Sequence, residues 1–364
     1  MDLLSGGRSG RGPAPLPCQR PRSRRITVAD RPTAAFAMDP VNVSRLFPPV
    51  LMDRLASLLD LGEPGAPRVI SGLATDAQRA ALAEVEVLVT GWGCPPLDER
   101  AVAAAPRLRV VLHSAGTVRE LVSDACWERG VVVSTAAEAN ARPVAEYTLA
   151  AILLAGKDAF RLSRTSAQEG RQRPGAGAEV GNYRRRVGVI GASRVGRALL
   201  DLLRPFHFVV SLSDPYVDEA EAARLGVTLL PLDDLLRGSD VVTLHAPDNP
   251  QTYRLLDRRK LALIPDGATL VNTSRGALVA PDALEAELVS GRINAVLDVT
   301  EPEPLPRWSP LHGLPNVVLT PHIAGSLGNE LELLGRSVVE EAERLAAGVP
   351  LRHEVRRTDL PRMA

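Results

Sequence analysis

The chain has 364 residues, 45% of them apolar and 24% charged, with Lys+Arg and Asp+Glu equal at 43 each. That composition excludes a disordered or low-complexity protein and allows two or three sizeable cores, while the charge balance makes neither nucleic acid nor a membrane an expected partner. Three scattered cysteines, Cys18, Cys94 and Cys126, form no disulfide framework or zinc-ligand spacing and fit a reducing, cytoplasmic setting.

Residues 1–25 hold six arginines, one aspartate and no hydrophobic periodicity, so a disordered leader is expected there, without the apolar core of a secretory signal. Order is expected from a first strand at Thr33–Met38. The pattern then alternates: helix Val43–Leu59, strand Arg68–Ser71, helix Ala77–Ala83, strand Val85–Thr90, helix Leu97–Ala105, strand Leu108–His113 and strand Val131–Ser134. Alternation of this kind argues for a parallel sheet covered on both faces. An apolar helical pattern at Arg142–Leu154 is long enough to connect two lobes, and Lys157–Asn182, polar and rich in Arg, Gln and Gly, reads as an exposed linker.

The second lobe opens on Val187-Gly188-Val189-Ile190-Gly191-Ala192-Ser193-Arg194-Val195-Gly196. A β-branched run stops at a glycine and resumes three residues later with helical spacing through Leu203, so it reads as strand, tight turn and helix N-terminus. Unpaired N–H groups and the helix dipole at such a corner suit a pyrophosphate. Gly191 allows the turn and Gly196 a close approach of helix to sheet, whereas Ser193 stands where the dinucleotide fingerprint prefers glycine. Phe208–Ser213 reads as the next strand and ends at Asp214, 23 residues after Gly191, where a carboxylate would hold an adenosine ribose. Helices follow at Glu219–Leu225 and Leu232–Arg237, strands at Asp240–His245 and Ala268–Asn272, and a helix at Pro281–Ser290. Strands at Asn294–Val299 and Val317–Thr320 come next, and a last helix at Asn329–Ala347 stops at Gly348-Val349-Pro350.

Reactive side chains sit directly after three of these strands: Asn272-Thr273-Ser274-Arg275-Gly276, Asp298-Val299 with Glu303-Pro304, and Thr320-Pro321-His322-Ile323-Ala324-Gly325. Ligands of open α/β sheets collect at such carboxyl ends. In these motifs, and in Leu244-His245-Ala246-Pro247 and Val144–Leu149, the chain resembles the D-isomer-specific 2-hydroxyacid dehydrogenase family, from about Thr33 to the C-terminus.

The resemblance implies an α/β fold of two doubly wound parallel-sheet lobes, with a Rossmann NAD-binding domain (151–324) inserted into a flavodoxin-like substrate domain (26–150 and 325–364). It implies an NAD-dependent oxidoreductase that interconverts a small 2-oxo acid and a D-2-hydroxy acid, as a homodimer. His322 would be the acid and base, Glu303 would hydrogen-bond its ring and favour the imidazolium, and Arg275 would hold the substrate carboxylate as a planar fork. Gly191, Ser193, Arg194, Val195, Gly196, Asp214, Ala246, Thr273, Ser274, Asp298 and Gly325 would face the cofactor. Ala115 and Gly116, in Leu112–Thr117, would offer backbone N–H groups to the substrate. No metal is expected.

Departures from the family pattern touch the substrate side. Ser114 replaces a glycine, Val118 stands where aspartate is common, Thr300 stands where an aromatic residue is usual, and Arg119 reads as facing solvent. The sequence ends soon after the last helix, so the further regulatory domain of many serine-pathway relatives is not expected. Two other readings stay open: a dinucleotide-sensing, corepressor-like regulator, and a dehydrogenase of formate or phosphite on the same scaffold.

Overall fold

The computed structural model describes residues 31–169 and 180–363; the leader expected at 1–25 and part of the linker lie outside them. The first sheet is built from β1 (Ala34–Ala37), β4 (Val69–Ile70), β5 (Val87–Thr90), β6 (Val110–His113), β7 (Val132–Thr135) and β15 (Glu354–Val355), with β2 (Gly62–Glu63) and β3 (Ala66–Pro67) forming a small separate hairpin. Its order is β15-β7-β6-β5-β1-β4, parallel except for β15 against β7. Leaving aside β15, this is the flavodoxin-like order. Strands β1, β5 and β6 are buried at every position, as parallel strands covered on both faces must be.

The second sheet contains β8 (Arg186–Ile190), β9 (Val209–Ser213), β10 (Thr228–Leu229), β11 (Val241–Leu244), β12 (Thr269–Asn272), β13 (Asn294–Leu297) and β14 (Val317–Leu319). It is wholly parallel in the order β10-β9-β8-β11-β12-β13-β14. The order reverses between β8 and β11, and a ligand crevice opens at such a switch point. This lobe is inserted into the first. After it, the chain returns through the helix Leu331–Ala346, whose Leu334, Val338 and Val339 pack in one core with Phe36, Leu46 and Leu55.

Three expectations need correction. The single helix at Val43–Leu59 is two, Pro40–Leu46 and Pro49–Leu58. Pro48 and Pro49 have no N–H to continue the first helix, and a residue preceding proline is pushed out of the α region; Phe47 sits at ψ 77. The connector is longer than its apolar pattern, running Ala137–Gly156 through Pro143, which is buried. The stretch expected as a linker begins with a helix, Ala159–Glu169. Its Arg164 donates to Val317 O at 2.7 Å and to Leu314 O, satisfying carbonyls at the exposed edge of the sheet.

The connector helix belongs to both lobes. Ala136 at its start lies in the first core, whereas Ala145, Ala151 and Ile152 pack with Val187, Val189 and Leu199 of the second. Among the described residues, no helix is long and apolar enough to cross a membrane, and no His/Cys/Asp/Glu group has metal-holding geometry.

Candidate active site

The glycine turn after β8 is as close as steric limits allow. Gly191 has φ +96, and a Cβ on Gly196 would lie 2.2 Å from Gly191 O. Ser193, in contrast, adopts φ −64 and ψ 179 and caps the helix Arg194–Leu203 by accepting from Gly196 N at 3.3 Å. That backbone conformation is open to any L-residue, so serine replaces glycine here without strain and adds a cap.

The N–H groups of Arg194 and Val195 make no bond among the described residues. With Ser193, Thr273, Ser274 and His245 they line a cavity of about 150 Å³. The imidazole of His245 accepts from or donates to Thr243 Oγ1 through Nε2 at 2.9 Å, while its buried Nδ1 has no partner among the described residues. Free amides and an orphaned ring nitrogen suit a diphosphate-bearing ligand. Ala246 borders the turn, and its carbonyl accepts from Ser274 Oγ at 3.0 Å. Asp214 ends β9 and reaches back, accepting from Ala192 N and Tyr216 N, each at 2.7 Å. Each oxygen keeps a further lone pair.

A larger cavity of about 760 Å³ lies between the lobes and brings together Ala115, Gly116, Thr273, Arg275, Asp298, His322 and Gly325. The amides of Ala115 and Gly116 make no bond among the described residues, and Ala115 O is held by Thr135 Oγ1 at 2.8 Å. Arg275 spends Nη1 on Ser274 O at 2.7 Å, which leaves the rest of the fork toward the cavity. Nδ1 of His322 bonds Glu303 Oε1 at 2.7 Å, with side-chain exposures of 49% and 43%. Glu303 does not border the cavity; it reaches it only through the ring.

The histidine loop is held by Asp298, a part of the site that could not be read from sequence. Its Oδ1 accepts from Thr320 Oγ1 at 2.7 Å and Ile323 N at 2.8 Å, its Oδ2 from Ala324 N at 2.8 Å, and its backbone O from His322 N at 2.9 Å. These bonds hold His322 at φ 55, an unfavourable conformation for a non-glycine residue. The single Thr320 hydroxyl proton goes to Asp298, so Tyr147 of the connector must donate to Thr320 across 2.7 Å. Strand end, histidine loop and connector thus form one hydrogen-bonded unit.

Arg119 corrects another expectation. Instead of facing solvent, it donates to Asp248 O, to Leu360 O at 3.2 Å and to Met363 O at 2.5 Å. Burial raises the Cys94 thiol to about 12, so this cavity-lining sulfur is a thiol and not a thiolate. Burial also lowers His113 to about 4 and His245 to about 3. An unfolded imidazole titrates near 6.5, so below that pH the unfolded chain binds more protons than the native one. The two residues therefore add stability that is complete above about pH 6.5 and fades as pH falls toward the folded values. The urea midpoint is expected to be lower at about pH 5 than at about pH 7.5, with His113→Gln shrinking the difference. An unchanged difference in that variant would remove His113 as its source.

A model of the NAD-binding domain of D-isomer specific 2-hydroxyacid dehydrogenases matches residues 149–324. The chain is 34% identical over 303 residues to D-3-phosphoglycerate dehydrogenase of Mycobacterium bovis, covering 82% of this chain and 57% of that protein. It therefore spans little more than half the length of that relative. It is 32% identical over 252 residues to glyoxylate reductase of Korarchaeum cryptofilum, covering 67% of this chain and 75% of the relative. A Xanthobacter autotrophicus D-isomer specific 2-hydroxyacid dehydrogenase, solved with NADPH and MES, superposes with a TM-score of 0.68 at 26% identity, covering 90% and 98% of the two chains.

Proposed function

We propose, from the premise that this chain belongs to the D-isomer-specific 2-hydroxyacid dehydrogenase family, that it interconverts a 2-oxo acid and a D-2-hydroxy acid with NAD. The observation that carries this reading is the His322–Glu303 hydrogen bond of 2.7 Å beside Arg275 on a shared cavity. The bound dinucleotide supplies or accepts hydride at substrate C2. Ala115 and Gly116 amides and the Arg275 fork bind the carboxylate and orient the carbonyl. With Nδ1 turned to Glu303, His322 presents Nε2 to the substrate oxygen. It donates a proton to the oxygen during reduction and removes it during oxidation. Glu303 fixes the ring in that orientation through its hydrogen bond with Nδ1. The reading takes 151–324 as the cofactor domain, 26–150 with 325–364 as the substrate domain, and the homodimer as the working form.

An NADH-oxidation screen over glyoxylate, hydroxypyruvate, pyruvate and bulkier 2-oxo acids tests the reading. Reduction of at least one is expected, with the D-enantiomer as product wherever C2 becomes a stereocentre; reduction of NAD by formate or phosphite, with no 2-oxo acid reduced, would overturn it.

The reading also names the dinucleotide. A carboxylate at Asp214 accepts ribose hydroxyls and repels a 2′-phosphate, so kcat/KM is expected to be higher with NADH than with NADPH. Asp214→Ala is expected to narrow the ratio about tenfold, the size of one charge-assisted hydrogen bond. A ratio untouched by the substitution would leave Asp214 as a turn residue serving Ala192 and Tyr216.

A further inference from the structure

The last described residues leave the substrate lobe and cross to the cofactor lobe. After β15, the 3-10 segment Arg357–Arg362 runs to the mouth of the 150 Å³ cavity, where Arg362 and Met363 join Ser193, Arg194 and Val195 as its lining. Its backbone is fastened from both lobes. Arg119 holds Leu360 O and Met363 O from the first, and Asn249 Nδ2 holds Pro361 O at 3.0 Å from the second. Arg119 also grips Asp248 O, so the strap, the substrate lobe and the loop after β11 meet at one guanidinium.

At the end of this strap, the guanidinium of Arg362 lies 4.6 Å from the ring centroid of Tyr216, two residues beyond Asp214. Arg362 makes no ion pair or hydrogen bond among the described residues. Arg362 thus lines the same cavity as two unbonded helix-start amides, Arg194 N and Val195 N, and its cation has no carboxylate partner among the described residues. A flat aromatic support fixes a guanidinium without consuming its N–H donors, which leaves the planar fork available for an anion.

From this arrangement we infer that Arg362 is a cofactor-binding residue contributed by the other lobe, a counter-charge for the diphosphate of the bound dinucleotide. The inference rests on the dinucleotide reading of the cavity. Its chemistry is recognition of a phosphoryl group, which on these ligands has two sources: the diphosphate shared by NADH and NADPH, and the 2′-phosphate of NADPH alone. Nothing near the glycine turn announces the residue in sequence, because it lies more than a hundred positions away.

Equilibrium dissociation constants for NADH and NADPH, read from nicotinamide fluorescence, test the assignment on wild type, Arg362→Gln and Arg362→Lys, with a thermal melt of each protein. Loss of the guanidinium fork in Arg362→Gln is expected to weaken both dinucleotides about tenfold, the worth of a charge-assisted hydrogen bond. Lysine is expected to recover part of the loss, and wild-type affinity to fall with added salt more steeply than that of Arg362→Gln. Unchanged affinity in a folded Arg362→Gln, or loss confined to NADPH, would overturn the diphosphate assignment. A wild type that binds neither dinucleotide would overturn the cofactor reading itself. If Arg362→Gln does not fold, the salt dependence of the wild type and of Arg362→Lys decides: affinity indifferent to salt in both would sink the proposal.

Discussion

His322→Ala is expected to lower turnover at saturating substrate and neutral pH by about 100-fold or more, the usual order for losing a general acid. Reduction at C2 develops alkoxide charge that needs a proton donor, and the His322 ring lines the cavity that Arg275 also lines. NADH affinity is expected to change little, because the imidazole faces the substrate side. Glu303→Gln is expected to lower turnover more mildly, since an amide keeps the 2.7 Å contact but removes the charge opposite the ring. The pair of variants separates chemistry from packing. Near-wild-type turnover in His322→Ala would take the residue out of the mechanism, and unchanged turnover in Glu303→Gln would take the carboxylate out.

Arg275→Ala is expected to lower kcat/KM for a 2-oxo acid by about 300-fold or more, equal to roughly 3–4 kcal/mol of lost transition-state binding. The substrate carboxylate would then keep the neutral Ala115 and Gly116 amides but lose the guanidinium fork, so much of its desolvation would go uncompensated. Lysine is expected to restore only a fraction: it carries the charge but not the planar fork, and it cannot repeat the bond from Nη1 to Ser274 O. Steady-state kinetics with NADH held saturating reads the effect. A KM rise alone, with kcat intact, would make Arg275 a ground-state binding group and not one that tightens as charge develops.

Most strands were legible because parallel strands buried on both faces spell themselves as short apolar runs between turn residues, as Val241–Leu244 and Thr269–Asn272 do. Their positions held to within a residue or two. The helix boundaries that failed did so for local reasons: two adjacent prolines split one helix, and the helix Ala159–Glu169 has too polar a composition to declare itself. Strands β10 and β15 were missed because two-residue strands carry no period. At the site, the side chains that follow strands could be read because the sheet gathers its strand ends at one edge. Asp298 as the holder of the histidine loop, the Tyr147–Thr320 link and the work of Arg119 could not. Each depends on contacts between segments far apart in the chain, and the residue types alone carry no sign of them.

The inserted topology also dictates an order of events during vectorial synthesis. The first lobe's strands through β7 leave the ribosome early, but the helix that covers its core is encoded almost two hundred residues later. At about 5–20 residues per second, the wait is on the order of ten to forty seconds. During that interval Leu46, Leu51 and Leu55 lack the cover that Leu331–Ala346 gives them in the finished protein. The inserted lobe meanwhile emerges as one uninterrupted stretch and can close its own seven-stranded sheet. The nascent chain thus carries a completed nucleotide-type fold on an unfinished base, and the open apolar face of that base is where a holding chaperone would bind and where premature association of nascent chains would begin.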